Sequence, residues 1–378
     1  MAVEELLTEF DEVAERGYER LRQDKERSSR KYIGCFPMYV PEELIHAAGA
    51  LPVGIFGGPR PISLANSRLQ TFACWPVRSV LDWGLQGGMD FLDGIVFPDI
   101  CDALQVLSEV WRNELPNMFS DFLVQPARLD TSLARSYYLR ELTRFKLKLE
   151  GFLGSQVTPE ALRESIALYN RNRHMLRELV ALRQAQPGLI SAQSVANVTT
   201  ASMLMPKEEH TRMLEELLQA LQDRPPRPAA GPRLVLFGFL CDRPYPGILD
   251  LLAELGAEVV ADDLWTGSRY IATDVSEDGD PVEALVDKLM DTVPCSTKHN
   301  GDRWVGDYVT QLVEQSGARG VVVMPTKYCE PVGFDYPDLK DLLAEREIPH
   351  LLLETDEAQS LSQARTRIQA FLEMIGGS

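Results

Sequence analysis

No stretch of the 378-residue chain approaches the roughly 18 consecutive apolar residues that a membrane-spanning helix needs. The opening Met1-Ala2-Val3-Glu4-Glu5 has neither the basic segment nor the apolar run of a secretory signal, so a cytoplasmic location is expected. Basic charge is in short supply: 38 Lys and Arg face 56 Asp and Glu, a formal net charge of −18. That balance argues against nucleic acid as a partner, because polyanion binders present a basic face. An anionic small ligand in a local Arg/Lys pocket remains compatible with it. The motifs G-x-x-x-x-G-K-[ST], G-x-G-x-x-G, H-E-x-x-H and G-x-S-x-G are all missing. Their absence argues against a phosphate-loop NTPase, a dinucleotide fingerprint, a helical zinc protease and a nucleophile-elbow hydrolase. If ATP matters to this protein, another polypeptide hydrolyses it. Five histidines, no two at helical spacing, also speak against a His-rich metal site.

What remains is an ordinary globular composition, 45% hydrophobic and 25% charged, in a length that suits two or three domains. Leu6, Phe10, Val13, Tyr18 and Leu21 recur at helical spacing, so the first thirty residues are expected to form a charged amphipathic helix. From residue 33 an α/β alternation follows: a helix from Pro41 stopped by Gly49, a strand at 51–56, a helix at 75–85, a strand at 93–98 and a helix from Asp102. Residues 131–222 read as mostly helical, and the Pro-rich run 223–232 reads as a linker. A second alternation then gives strands at 234–240, 258–261, 320–325 and 350–353, with helical pieces at 248–255 and 339–344. The expected architecture is two doubly wound parallel-sheet lobes, 1–130 with the leading helix and 231–378, separated by a helical segment with linker at 131–230.

Six cysteines stand in this frame: Cys35, Cys74, Cys101, Cys241, Cys295 and Cys329. In a reducing compartment disulfides are not expected, which turns attention to metal or redox use. Ligands of open α/β sheets bind outside the carboxyl ends of the strands. Cys101, Cys241 and Cys329 each follow an expected strand, and Cys74 stands where an expected helix begins, a position that stabilises a thiolate. The competing explanation is plain burial, since unpaired cysteine is among the most buried residue types and no C-x-x-C pair is present.

Several segments resemble the benzoyl-CoA reductase / 2-hydroxyacyl-CoA dehydratase family. They are Gly34-Cys35-Phe36-Pro37-Met38-Tyr39 running on to Gly49, Phe72-Ala73-Cys74-Trp75-Pro76-Val77-Arg78-Ser79, and Phe91 to Asp102 ending Phe97-Pro98-Asp99-Ile100-Cys101-Asp102. Cys241-Asp242-Arg243-Pro244, Lys327-Tyr328-Cys329-Glu330-Pro331 and Phe334-Asp335-Tyr336-Pro337 follow in the family's order, so the similarity runs from about residue 33 to the end. The Phe91–Asp102 run and Cys329-Glu330-Pro331 point to the reductase branch. The resemblance implies a [4Fe–4S] cluster in the cleft between the lobes, with Cys74, Cys101 and Cys329 as ligands and one iron left to a non-protein ligand. Cys241 would line the cleft, and Cys35 and Cys295 would pack in the core. A double-cubane [8Fe–9S] cluster held by all six is the second cluster reading, with Cys35 offset from the usual cysteine position.

Catalytic candidates are weaker. His46 falls in a helix expected to pack on the sheet. His299, near Lys298 and Arg303, would meet a CoA phosphate or donate a proton, or lie in a solvated loop. Asp102 and Glu330 directly follow two of the implied ligands and would tune the cluster, relay protons or cap helices; Arg78 would balance cluster charge or form a surface pair. The function implied is the catalytic iron–sulfur subunit of an ATP-dependent benzoyl-CoA reductase-like enzyme, an oxidoreductase acting on an acyl-CoA. Its partners would be a related cluster-bearing subunit and a separate iron–sulfur ATPase. A 2-hydroxyacyl-CoA dehydratase subunit or a double-cubane reductase is the alternative within the class, and a non-catalytic two-lobed binding or scaffold subunit the alternative outside it.

Overall fold

A computed structural model describes residues 2–376 apart from 59–60, 187, 223, 226–230, 239–241, 245–246, 303 and 357–360. The N-terminal half contains α1 (Val3–Lys25), β1 (Tyr32–Cys35), α2 (Glu42–Ala47), β2 (Leu51–Gly54), α3 (Trp75–Leu85), β3 (Gly94–Pro98), α4 (Asp102–Glu114) and β4 (Phe119–Leu123). Four helices follow: α5 (Ser132–Leu153), α6 (Pro159–Ala185), α7 (Ala192–Ala201) and α8 (Lys207–Gln222). The C-terminal half contains β5 (Arg233–Phe237), α9 (Ile248–Glu254), β6 (Glu258–Asp263), α10 (Ser268–Ile271), α11 (Pro281–Met290), α12 (Val305–Ser316), β7 (Gly320–Val323), α13 (Glu330–Glu345), β8 (His350–Leu352) and α14 (Leu361–Gly376).

The strands form two four-stranded sheets, ordered β2-β1-β3-β4 and β6-β5-β7-β8, and every pairing is parallel. The two orders are the same: the first strand is central, the second lies on one side, the third and fourth on the other. A parallel sheet needs both faces covered, and the sequence supplies the matching uninterrupted apolar strands. β3 reads Gly-Ile-Val-Phe-Pro and β7 Gly-Val-Val-Val, and every residue of both is buried. The long helices carry their own start signals. Thr131 and Thr158 accept hydrogen bonds from Ala134 N and Ala161 N, Pro159 occupies the first turn of α6, and left-handed Gly154 closes α5.

The expected α/β architecture is therefore observed, with differences at particular elements. β1 and β4 were not expected as strands. β1 is only four residues with a glycine inside. β4, at the sheet edge, carries Asp121, which pairs with Arg144 and Lys148 of α5 and gives the segment the polarity of a loop. The helical piece expected at 339–344 begins at Glu330 and continues through Pro337. Strand β5 ends at Phe237, and most of the expected linker at 223–232 lies outside the described residues. Among the described residues no helix is long and apolar enough to cross a membrane.

The sheets share a core. One buried apolar cluster runs from Leu6 and Phe10 of α1 through Phe97 and Trp111 to Phe237 of β5, Val323 of β7 and Val332 of α13. A polar hub ties the same parts together from another side. Glu43 of α2 is 1% exposed and accepts Arg173 of α6 at 2.7 Å and Lys288 of α11 at 3.0 Å on one oxygen. Burial alone would raise its pKa, but Lys288 and Arg173 overcome that and hold it well below the ordinary carboxylate range. Because the folded pKa lies below the unfolded one, this stabilisation is present above the ordinary carboxylate pKa and is lost as the pH falls below it. Glu43→Gln leaves two largely desolvated cations without their carboxylate. It is expected to cost about 3–5 kcal/mol in urea denaturation at neutral pH and to flatten the loss of stability below about pH 4.

Candidate metal centre

Parallel strand–helix units bring the carboxyl ends of strands and the amino ends of the following helices to the same edge of a sheet. The strand order reverses between β1 and β3 in one sheet and between β5 and β7 in the other. Cys101 follows β3 and is the N-cap of α4; Cys329 follows β7 and is the N-cap of α13. Cys74 is the N-cap of α3. All three sulfur-bearing residues thus stand at the positive ends of helices of 11 to 16 residues. Pro76 and Pro331 occupy the first turns of α3 and α13, where a missing N–H leaves no partner unmet.

The three cysteines, two from the N-terminal half and one from the C-terminal half, line a single cavity of about 260 Å³. Phe36, Val77, Ile100 and Leu104 make much of its wall apolar, while Thr297, Asp102 and Glu330 bring polar groups to it. Burial pushes the Cys101 thiol up to about 12, with Cys74 the next largest influence. Cys329 is pushed up to about 12 by burial and then by Cys74 and Cys101. The thiols therefore act on one another across the cavity, and holding them together as thiolates requires a positive centre between them. No three His, Cys, Asp or Glu side chains among the described residues are grouped so as to hold a single metal ion. The donor set instead lines a void, which suits a polynuclear centre whose separate irons each take one thiolate.

The remaining sequence candidates lie elsewhere or play other parts. Cys35 ends β1 in a different apolar cluster, with its thiol 3.6 Å from the Ile33 carbonyl. Cys295 is buried, 3.2 Å from the Thr297 hydroxyl, and does not line the cavity. Cys241 falls outside the described residues. None of the described cysteines is in a disulfide. His46 joins α2 to the helical segment through Ser165 at 2.9 Å and Glu208 at 3.0 Å, and does not line the cavity. His299 is fixed by its backbone, donating to Ala127 O and accepting from Leu129 N, both at 2.7 Å. Arg78 donates to Ala73 O at 2.9 Å and Asn66 Oδ1 at 3.2 Å, which pins the residue before Cys74. Two features of the site had no sequence signal. Tyr328, beside Cys329 on the cavity wall, has a φ of 65°, a region non-glycine residues seldom occupy. Thr297 reaches the wall from a turn that no periodicity marks.

Two α/β halves of one strand order, with three cysteines from both on one cavity wall, define the class: a two-lobed α/β protein with a shared cysteine-lined cavity. The chain belongs to the family described as 2-hydroxyglutaryl-CoA dehydratase, D-component, whose profile matches residues 37–375. It is 32% identical over 376 residues to the beta subunit of lactoyl-CoA dehydratase of Anaerotignum propionicum, covering 99% of both chains. It is also 32% identical over 383 residues to the beta subunit of (R)-2-hydroxyglutaryl-CoA dehydratase of Acidaminococcus fermentans, covering 99% of this chain and 100% of that one. A benzoyl-CoA reductase subunit of Thauera aromatica is 31% identical over 335 residues, 87% of each. The family resemblance of the motifs is thereby borne out.

The entry to α3 offers a test of how the wall is held. Gly57 N donates to the buried Asp242 at 3.1 Å, and a Cβ at Gly57 would sit 2.9 Å from both Asp242 Oδ2 and Trp75 Cζ3. Gly57→Ala is expected to cost about 1–3 kcal/mol in thermal or urea denaturation and to shift the tryptophan fluorescence.

Proposed function

We propose that the chain is the iron–sulfur subunit of an enzyme that delivers single electrons at low potential to an acyl-CoA thioester, as a benzoyl-CoA reductase does. The observation that carries this reading is the shared cavity wall of Cys74, Cys101 and Cys329, each at a helix N-terminus. These thiolates would hold a [4Fe–4S] cluster, which when bound supplies one-electron transfer and leaves one iron to a non-protein ligand. The chain's own contribution is electrostatic and steric. Three helix ends oppose the burial that favours thiol over thiolate, and the largely apolar wall weakens the screening of charges inside. Phe36 and Cys35 are neighbours in the chain, yet only Phe36 is on the wall, and Cys295 does not line it either, which favours one cubane over a double cubane drawing on all six cysteines.

A reductase adds two electrons and two protons to its acyl-CoA; a dehydratase returns the electron as water leaves. The nearly complete coverage of two dehydratase beta subunits supports dehydration of a 2-hydroxyacyl-CoA as the second reading. The relatives are named as subunits, and this sequence has no phosphate loop. A related cluster-bearing subunit and a separate iron–sulfur ATPase donor complete the proposal.

Anaerobic reconstitution is expected to give a brown chain with about four irons and four sulfides. Cys74→Ser, Cys101→Ser and Cys329→Ser should each lose most of that iron, whereas Cys35→Ser should keep it. With the partner subunit and a low-potential donor, turnover of benzoyl-CoA against (R)-2-hydroxyglutaryl-CoA separates the two outcomes. A colourless chain that takes up no iron yet binds an acyl-CoA would overturn the redox reading in favour of a binding subunit.

A further inference from the structure

Five Lys or Arg side chains among the described residues are buried: Arg173, Arg183, Lys207, Arg269 and Lys298. Four of them have a carboxylate within 4 Å. Arg173 meets Glu43 at 2.7 Å, Arg183 Asp262 at 3.7 Å, Lys207 Glu42 at 3.8 Å and Arg269 Asp263 at 2.7 Å. Lys298, 7% exposed, is the exception. Its ammonium donates to the Asp99 carbonyl at 2.9 Å and lies 5.9 Å from the Tyr39 ring centre, and no carboxylate among the described residues comes within ion-pair distance. The Cys295 thiol and the Asp99 carboxylate act on it only from further away. A buried cation without a counter-charge costs several kcal/mol, so its retention calls for an anion nearby.

The position of Lys298 says where that anion belongs. Asp99, which holds the ammonium, stands two residues before Cys101, and Ile100 between them is on the cavity wall. Thr297, the residue before Lys298, is on the same wall, and His299 after it is bridged to Ala127 and Leu129. Lys298 N also donates to the Cys295 carbonyl at 3.0 Å. The turn is thus fastened on both sides, and the lysine is fixed between the two segments that contribute Ile100 and Thr297 to the cavity wall. Burial draws its pKa down to about 8, which leaves it mostly charged at neutral pH.

We propose that Lys298 is the buried counter-charge of an anionic centre in the cysteine-lined cavity, and that it raises the reduction potential of that centre. The inference rests on the iron–sulfur reading, because a cubane with three thiolates is anionic and gains a further negative charge on reduction. Removing the ammonium disfavours the added electron, and so lowers the potential. The same charge makes the unloaded site worse than it need be, so Lys298 ties the stability of the chain to loading.

The test uses the full chain, reconstituted anaerobically and titrated with titanium(III) citrate under EPR. At the potential where the wild type is half reduced, Lys298→Met is expected to show an oxidised-to-reduced ratio about tenfold higher, about 59 mV for a one-electron couple. Lys298→Arg, which keeps the charge, should stay within about twofold of wild type. In urea denaturation of the unloaded chain, Lys298→Met should be at least as stable as wild type. An unchanged potential in Lys298→Met, or a Lys298→Arg that behaves like it, overturns the proposal. So does an unloaded Lys298→Met that unfolds earlier than wild type, since that makes the lysine a structural group. A wild-type chain that binds no iron sinks the preceding reading instead; a loaded wild type with an indifferent Lys298→Met sinks this one alone.

Discussion

Three sulfur donors gathered in one largely apolar cavity govern much of this molecule. Three thiols share a cavity whose wall is largely apolar, and they influence one another strongly enough that burial and mutual proximity hold Cys101 and Cys329 in the protonated form. The scaffold answers with the only fixed positive charge a backbone can provide, the amino ends of α3, α4 and α13. That arrangement needs parallel sheets, because only there do strand ends and following helix starts lie at one edge. It needs two of them, because Cys329 comes from the second sheet.

Two sheets of the same strand order must then be held in register across the cavity. The apolar cluster from α1 to α13 does so without directionality, and the Glu43 hub adds it, joining α2, α6 and α11 through one carboxylate oxygen. Buried ion pairs of this kind return little net stability once desolvation is counted. Their value here is geometric, since Glu43 accepts both cations only when three separate elements are in place. The −18 net charge bears on the surface rather than the site: among the described residues four buried cations each have a carboxylate, and the fifth, Lys298, is held by the carbonyl of Asp99, two residues before Cys101.

Much of the scaffold was legible in the sequence because buried parallel strands are written as uninterrupted apolar runs, as in 93–98 and 320–325. β4 escaped because Asp121 interrupts its apolar pattern and finds its partners, Arg144 and Lys148, on a helix more than twenty residues away. Cys74, Cys101 and Cys329 were picked out by helix starts, strand ends and family motifs together; proximity between residues 101 and 329 has no local signal. Cys35, which stands in a family motif but is read from the sequence as a packing residue, enters the second apolar cluster; which core it enters follows from strand alternation that a four-residue strand expresses too briefly to read. The burial of Lys298 was invisible for a simpler reason. Lysine is almost never buried, and nothing in Ser296-Thr297-Lys298-His299 distinguishes it from a solvated turn.

If sulfur atoms from both halves of the chain meet at one inorganic centre, the iron itself must show it. Diffraction from anaerobically grown crystals of the reconstituted chain, recorded on both sides of the iron absorption edge, locates that iron independently of any assumed ligand. A single compact group of anomalous peaks between Cys74, Cys101 and Cys329 is expected. Iron bound elsewhere, or a cavity free of anomalous signal in a chain shown to be loaded, would contradict the shared centre.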